Sequence, residues 1–293
     1  MNIFKGFEEI VEKDYPLAKQ TWYGLGGPVD YLIRPKNIEQ LKEIIQRCNE
    51  NKIPIYVLGL GSNLLISDDG LRAAVIKLDS EEFTQIEYND EEVTAWAGAE
   101  LSKVVLESVQ KGLSGIEALT GIPGSIGGAI KMNAGGNFGD LGAAVESVTL
   151  MDSEGNLFEK SKPELEFDYR RTNITAKFIL SARLKLNAAD PEQIMRTIKE
   201  IWIYKKNTQP LNNKNSGCIF KNPRGVSAGA LIDRAGLKGL QIGGAVVSDK
   251  HANFIIAQKG CTSHDVMRLI DTVKDRVREQ FDIELELEVE IWG

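Results

Sequence analysis

Between residues 115 and 142 the chain places nine of its 28 glycines, in the run Gly121-Ile122-Pro123-Gly124-Ser125-Ile126-Gly127-Gly128 and on through Asn133-Ala134-Gly135-Gly136. Glycine loses more backbone freedom on folding than any other residue, so a cluster this dense weakens a fold unless close backbone approach requires it. Phosphate groups are the usual object of such an approach, because successive N–H groups and helix N-termini form anion-binding hollows. A glycine-rich turn between core elements is the plain alternative.

A second loop of the same kind lies about sixty positions earlier. Residues 54–58 read as a short buried strand, and it runs into Gly59-Leu60-Gly61-Ser62-Asn63-Leu64-Leu65-Ile66. This is not a Rossmann fingerprint, because Leu64 stands at the third glycine position and a strand is expected to follow instead of a helix. Nor is it a Walker loop, since no Gly-Lys-Ser/Thr is present. A decorated hairpin turn is the alternative here. Two such loops suit a dinucleotide bound in extended form, each holding part of a pyrophosphate through its amides.

The remaining pattern is mixed helix and strand. Residues 1–20 alternate acidic and apolar positions and are expected to form a helix. Thr21-Trp22-Tyr23-Gly24-Leu25-Gly26-Gly27-Pro28 reads as a tight turn into a strand over 29–33. Asn37 is an N-cap for a helix with Ile38, Leu41, Ile44, Ile45 and Cys48 on one face, which makes Cys48 a small core residue. Strands are expected at 74–78, 83–88 and 93–97, then a helix over 101–109 stopped by Gly112. Residues 145–151, 156–160 and 178–186 read as strands of one antiparallel sheet. Asp190-Pro191 opens a helix to Lys206 that is amphipathic through Ile194, Ile198, Ile201 and Trp202. Ser227 caps a short helix, and Thr262 or Ser263 a longer one. Residues 283–291 alternate strictly, as a half-exposed strand would.

Composition narrows the class. The chain has 293 residues, 42% apolar and 26% charged, with a net charge of −7. That acidity argues against nucleic acid as the main partner. Cys48, Cys218 and Cys261 are widely spaced, so a disulfide framework is not expected and a reducing compartment fits. The first fifteen residues lack an apolar leader core, and no apolar run approaches membrane-spanning length. His251 and His264 are the sole histidines, and no metal site is expected. The expectation is a cytoplasmic protein with no membrane partner.

The ordered set Thr21–Gly27, Gly59–Ile66, Gly121–Gly136, Tyr169-Arg170, Gly217–Pro223, Leu231–Gly244, His251-Ala252-Asn253-Phe254 and Leu285–Gly293 carries a resemblance. The chain resembles the flavin-binding domain shared by vanillyl-alcohol-oxidase-type and p-cresol-methylhydroxylase-type enzymes. Within that group it is similar to the UDP-N-acetylenolpyruvoylglucosamine reductase family. The resemblance implies an α+β architecture: a two-part FAD-binding domain, at 1–80 and 81–188, plus a C-terminal α+β substrate-binding domain at 189–293. It implies FAD and NADPH as cofactors and UDP-N-acetylenolpyruvoylglucosamine as the small-molecule substrate. Only about thirty residues separate Leu186 from Gly217, so the chain resembles the family's shorter, second type, which lacks an inserted substrate-covering loop.

Residue roles follow from the same resemblance. Gly59, Gly61, Ser62, Asn63, Leu64, Gly98, Ala99, Ile122, Pro123, Ser125, Ile126, Gly127, Asn133, Ala134 and Gly135 match positions that bind the cofactor. Arg170 matches the catalytic arginine, whose planar, permanent charge suits a carboxylate or enolate; charge alone would not separate it from Arg171. Cys218 stands where the family usually has a serine proton donor. A thiol, with a reference pKa of about 8.5, is the stronger acid and can do the same task. Periodicity leaves Glu284, Glu286, Glu288 and Glu290 equivalent, and the family pattern selects Glu288. Asn222 resembles a position that contacts the UDP portion. Lys205 or Lys206, preferably Lys206, is expected at the diphosphate, Tyr204 to stack or to pack, and Arg234 to contribute to substrate binding. An oxygen-using flavin oxidase of the same fold is the second reading. It would usually bring a flavin-attachment histidine, which neither glycine loop contains. A non-catalytic nucleotide-binding module is the third, and it would leave Arg170, Cys218 and Glu288 without a joint role.

Overall fold

Residues 3–293 are described by a computed structural model. The chain folds into two compact units, one of residues up to 14, 30–60 and 72–204, the other of 15–29, 61–71 and 205–293. Helices and strands are mixed in both, as the α+β expectation has it.

In the first unit, helix α1 (Ile38–Glu50) starts where Asn37 accepts the Gln40 N–H at 2.9 Å. Its apolar stripe puts Leu41, Ile44, Ile45 and Cys48 fully inside. Burial pushes the Cys48 thiol up to about 11, so it behaves as an inert core residue. A four-stranded sheet runs in the order Val11–Pro16, Pro28–Ile33, Leu71–Lys77, Ile55–Leu58, its last two members parallel. The helix expected over residues 1–20 is therefore not formed. Residues 1 and 2 lie outside the described residues; Gly6 turns the chain at φ +88°, and Val11–Pro16 is an edge strand followed by the 3₁₀ turn Leu17–Gln20. The alternation belongs to a strand whose Glu12, Lys13 and Asp14 keep a charged, solvent-facing edge.

A second, five-stranded sheet is antiparallel throughout, in the order Leu157–Ser161, Val145–Met151, Phe178–Lys185, Glu92–Trp96, Ile86–Asn89. The strand expected from residue 83 starts three residues later. Glu81–Thr84 is a 3₁₀ turn that buries Phe83 completely and offers its carbonyl to the Gly98 N–H at 2.8 Å. Helix α2 (Leu101–Gln110) buries Leu101, Val104, Val105 and Val109 and stops at Gly112, φ +69°. The six-residue helix α3 (Ile126–Lys131) packs on the strand Phe178–Lys185. Helix α4 (Pro191–Thr208) begins with the Asp190 carboxylate accepting the Glu192 N–H at 3.0 Å. Ile194, Ile198 and Ile201 are buried, whereas Trp202 is 46% exposed. At about 100° per residue Trp202 falls to one side of that stripe, and Lys205 continues it; Lys205 is 6% exposed.

In the second unit a three-stranded antiparallel sheet, Gln241–Ile242, Ala245–Val247 and Ile255–Ala257, packs against α6 (Ser263–Phe281). Val266, Leu269, Ile270, Val273 and Val277 are buried along one face of α6. Helix α5 (Ala228–Arg234), capped by Ser227, lies against the same helix. Thr262 and Asp265 close a capping box at the start of α6, each side chain accepting the other's N–H at 3.1 Å. Of the C-terminal alternation, only Glu290–Trp292 joins a ladder, parallel to Leu64–Ile66. Upstream the pairing is the single bridge Leu287–Phe220, because the partner segment is bounded by Gly217 at φ +80° and by Pro223, which has no N–H to give.

Candidate active site

Gly59, at the start of the first glycine loop, meets the second loop within the first unit. A Cβ on Gly59 would stand 2.7 Å from the Ser125 Oγ, so a side chain at the end of the strand Ile55–Leu58 would force that hydroxyl to turn away. Ser125 is the N-cap of α3, its Oγ 3.5 Å from the Gly128 N–H. The Ile126 and Gly127 amides donate to the Ala99 and Ala97 carbonyls at 2.9 Å, and the Leu101 amide to Gly124 at 2.9 Å. The middle of the glycine stretch is thus a short helix stitched to residues 97–101, with Ile126 and Gly127 holding the loop in shape. Ala99 is buried, and Gly98, Ile122 and Pro123 are half-buried around the stitch. The close approaches at 59, 98 and 127 are to the chain's own Ser125, Leu78 and Ala97, so small residues there set the backbone shape of the loop, while the Ile126 and Gly127 amides are already bonded within it.

Replacing Gly59 with alanine is expected to push Ser125 off its cap. A cap serine contributes about 1 kcal/mol, and urea unfolding midpoints would show a loss of that order. An unchanged midpoint would mean that the two loops tolerate a methyl between them.

Arg170 sits at the end of a two-residue turn between Phe167–Asp168 and Arg171–Thr172, with φ +55°. Its Nη2 donates to the Gly135 carbonyl at 2.9 Å, and its guanidinium lies 5.1 Å from the Tyr169 ring centre. Asn133, buried and itself at φ +42°, donates through Nδ2 to the Asp168 carbonyl at 3.0 Å and accepts the Gly142 N–H at 2.9 Å. Its side chain therefore fixes the arginine turn. The Ala134 amide closes the end of α3 on the Ala129 carbonyl at 2.8 Å. Arg171 points the other way, paired with Asp168 at 2.7 Å on the exposed side. Tyr204 is 43% exposed, with Phe138 edge-on at 5.5 Å and the Asn137 Nδ2 3.3 Å from its hydroxyl. Sequence reasoning passed over Asn137 and Phe138; the signal was an aromatic in the otherwise glycine-rich turn Gly136–Gly139.

Gly61, Ser62, Asn63 and Leu64 belong to the second unit. Gly61, at φ +65°, passes so close to Gln20 that a Cβ would lie 1.9 Å from its carbonyl, and its own carbonyl accepts the Trp22 N–H at 3.0 Å. The main-chain segments that carry Cys218 and Glu288 lie side by side in this unit. The Glu288 N–H donates to the Ile219 carbonyl at 2.8 Å and the Lys221 N–H to the Glu286 carbonyl at 2.8 Å, setting Cys218 diagonally across from Glu288. Asn63 Nδ2 holds the Glu288 carbonyl at 3.0 Å. Glu284, Glu286 and Glu290 are exposed, while Glu288 is half-buried, a distinction that periodicity did not supply. The Asn222 Oδ1 accepts the Ala228 N–H at 3.0 Å at the start of α5. Lys206 is exposed at the end of α4, and Arg234 in the last turn of α5. His251 is held edge-on to Phe254 at 4.8 Å, and burial lowers its pKa; His264 is exposed at the start of α6.

Comparison with known proteins gives this geometry a family. A model described as an FAD binding domain matches residues 29–161, and one described as the C-terminal domain of UDP-N-acetylenolpyruvoylglucosamine reductase matches residues 209–292. The UDP-N-acetylenolpyruvoylglucosamine reductase of Clostridium beijerinckii is 40% identical, covering 100% of this chain and 97% of that protein. The Clostridioides difficile enzyme of the same name is also 40% identical, covering 98% and 94%. The crystal structure of the Thermus caldophilus enzyme superposes with a TM-score of 0.83 at 39% identity, over 97% of this chain and 99% of that one. On full-length similarity of this degree, the chain belongs to the UDP-N-acetylenolpyruvoylglucosamine reductase family.

Proposed function

We propose that the chain catalyses the NADPH-dependent, FAD-mediated reduction of the enolpyruvyl group of UDP-N-acetylglucosamine-enolpyruvate to UDP-N-acetylmuramate, a step of peptidoglycan precursor synthesis. The observation that carries this reading is identity of 40% to enzymes of that name across the whole chain. Three cysteines outside any disulfide and the absence, among the described residues, of any helix long and apolar enough to cross a membrane support the cytoplasm as its place of work. We keep 1–80 and 81–188 as the two parts of the FAD-binding domain and 189–293 as the substrate domain; the match of residues 209–292 to a C-terminal-domain model supports the last of these, and the FAD-binding match over 29–161 runs across the first two without a break.

When bound, reduced FAD supplies hydride to the enolpyruvyl double bond. The protein's part is to hold what develops and to move the proton. Gly59, Gly98, Ala99, Ile122, Pro123, Ser125, Ile126, Gly127, Asn133, Ala134 and Gly135, with Gly61, Ser62, Asn63 and Leu64, form or shape the cofactor's backbone cradle. Hydride arriving at one carbon leaves enolate-like charge beside the substrate carboxylate. Arg170 holds that charge with a fixed, permanently charged fork. The Cys218 thiol then protonates the neighbouring carbon, and Glu288, on the adjacent segment, is the carboxylate that serves the same proton traffic. Asn222, Lys206 or Lys205, Tyr204 and Arg234 hold the UDP portion.

The experiment is a pair of half-reactions under anaerobic conditions. The purified protein is expected to be yellow, to bleach with NADPH, and to regain colour only when the enolpyruvyl substrate is added. A colourless protein that takes up no FAD overturns the reading. Recovery of colour with oxygen alone at a comparable rate would favour an oxidase instead.

A further inference from the structure

Asn253 has no part in the reaction as described, yet its buried carboxamide is bonded at both ends to the proton-donating segment. It is 3% exposed and lies in the run His251-Ala252-Asn253-Phe254-Ile255, where every neighbour but the histidine is apolar. Its Oδ1 accepts the Phe220 N–H at 3.0 Å, and its Nδ2 donates to the Phe220 carbonyl at 2.8 Å. Its main-chain carbonyl accepts the Ile219 N–H at 2.8 Å. One carboxamide thus does for residue 220 what a neighbouring strand would do, pairing both backbone groups at once. A buried polar side chain is stable only when so satisfied, and removing one partner leaves the other orphaned.

The consequence reaches the reacting groups through the main chain. Ile219, held from one side by Asn253, receives the Glu288 N–H on its carbonyl at 2.8 Å and the Val289 N–H at 3.4 Å. Cys218 is the residue before Ile219, and it follows Gly217, which sits at φ +80° with its N–H donated to the Asn215 Oδ1 at 2.9 Å, so the segment is held on that side by Asn215 and on the other by Asn253. We propose that Asn253 is a positioning residue for proton delivery, clamping residues 219–220 so that Cys218 and Glu288 keep a fixed mutual geometry. The proposal rests on the reductase reading. It assigns Asn253 to the substrate half-reaction and gives it no role in flavin reduction by NADPH.

The test uses the FAD-loaded enzyme, with both half-reactions followed by stopped flow for wild type and Asn253→Asp across a range of pH. An ionised aspartate sets a second acceptor against the Phe220 carbonyl. A protonated one restores the donor, and burial favours the protonated form. For Asn253→Asp, flavin reduction is expected within about twofold of wild type, while reoxidation by substrate is about a hundredfold slower near pH ~8. At least tenfold of that loss is expected to return near pH ~5.5, with the variant taken relative to wild type at each pH. Wild type, normalised in this way, removes the titrations of His251, which hands its Nδ1 to the Asn253 N–H at 3.3 Å, and of Cys218 and Glu288. Reoxidation equal to wild type, or equal loss in both half-reactions without recovery at low pH, overturns the proposal. If Asn253→Asp does not retain FAD, Asn253→Ser, which introduces no charge, must show the same split between half-reactions; an equal loss in both overturns it. A wild-type enzyme that the substrate cannot reoxidise is a separate result and overturns the functional reading instead.

Discussion

Replacing Arg170 with asparagine is expected to slow substrate reduction about a thousandfold while leaving the fold as stable as before. The two effects part company because of where the residue sits. At φ +55°, Arg170 occupies a left-handed backbone conformation that costs a residue with a long side chain about 1 kcal/mol, and that asparagine adopts readily. Against that relief stands the hydrogen bond from Nη2 to the Gly135 carbonyl, which is worth about 1 kcal/mol net. With the exposed contact to the Tyr169 ring counted as well, the balance stays within about 1 kcal/mol of zero. In the reaction the terms do not cancel, because removal of one donor at a developing oxyanion costs about 10²- to 10³-fold, and here a full positive charge goes with it.

The neighbouring arginine is the control. Arg171 pairs with Asp168 at 2.7 Å with both side chains mostly exposed, and such surface pairs contribute at most about 1 kcal/mol. Arg171→Ala should therefore keep near wild-type activity. Arg170→Lys retains charge without the planar fork, and should fall between the two. Stopped-flow reoxidation rates and urea midpoints for all three decide the matter. Active Arg170→Asn with inactive Arg171→Ala would reverse the assignment, and a large loss of stability in Arg170→Asn would make Arg170 a structural residue.

What the sequence made legible was what local chemistry dictates. The N-cap of α1 at Asn37, its buried stripe through Cys48, the Gly112 stop and the antiparallel set Val145–Met151, Leu157–Ser161 and Phe178–Lys185 all follow from period and caps. The first twenty residues were misread because alternating charge suits a solvent-facing sheet edge as well as a helix, and only the sheet decides. The 283–291 segment shows the same limit: its alternation of burial is real, yet a ladder forms only from Glu290, on Leu64–Ile66, and the segment bounded by Gly217 and Pro223 supplies a single bridge at Leu287. At the site, the glycine loops were legible as close approaches, but their length concealed a helix at Ile126–Lys131. Arg170's backbone strain, the burial of Glu288 among four alternating glutamates, and the Asn253 clamp depend on contacts between segments tens of residues apart, which no local pattern encodes.

Cys218→Ala is expected to lower the rate of substrate-dependent reoxidation by about 10²- to 10⁴-fold, the span associated with losing a positioned general acid. Reduction of the flavin by NADPH should survive, since no proton from residue 218 enters that half-reaction. Cys218→Ser should recover most of the rate, because a hydroxyl occupies the same place at the end of the same short side chain. The thiol adds a chemical signature that serine lacks. Thiolates, not thiols, are alkylated, and the two other cysteines are poor competitors. Cys48 is fully buried with its thiol pushed up to about 11, and Cys261 is pushed up to about 11 by burial and by the Asp265 and Asp68 carboxylates. Iodoacetamide near pH ~8 should therefore block substrate reduction in the wild type, spare flavin reduction, and leave Cys218→Ser untouched. If Cys218→Ala runs both half-reactions at wild-type rates, residue 218 is a packing residue and the proton comes from elsewhere. If alkylation silences Cys218→Ser as well, the modified group lies outside position 218, and the chemical argument for the thiol fails with it.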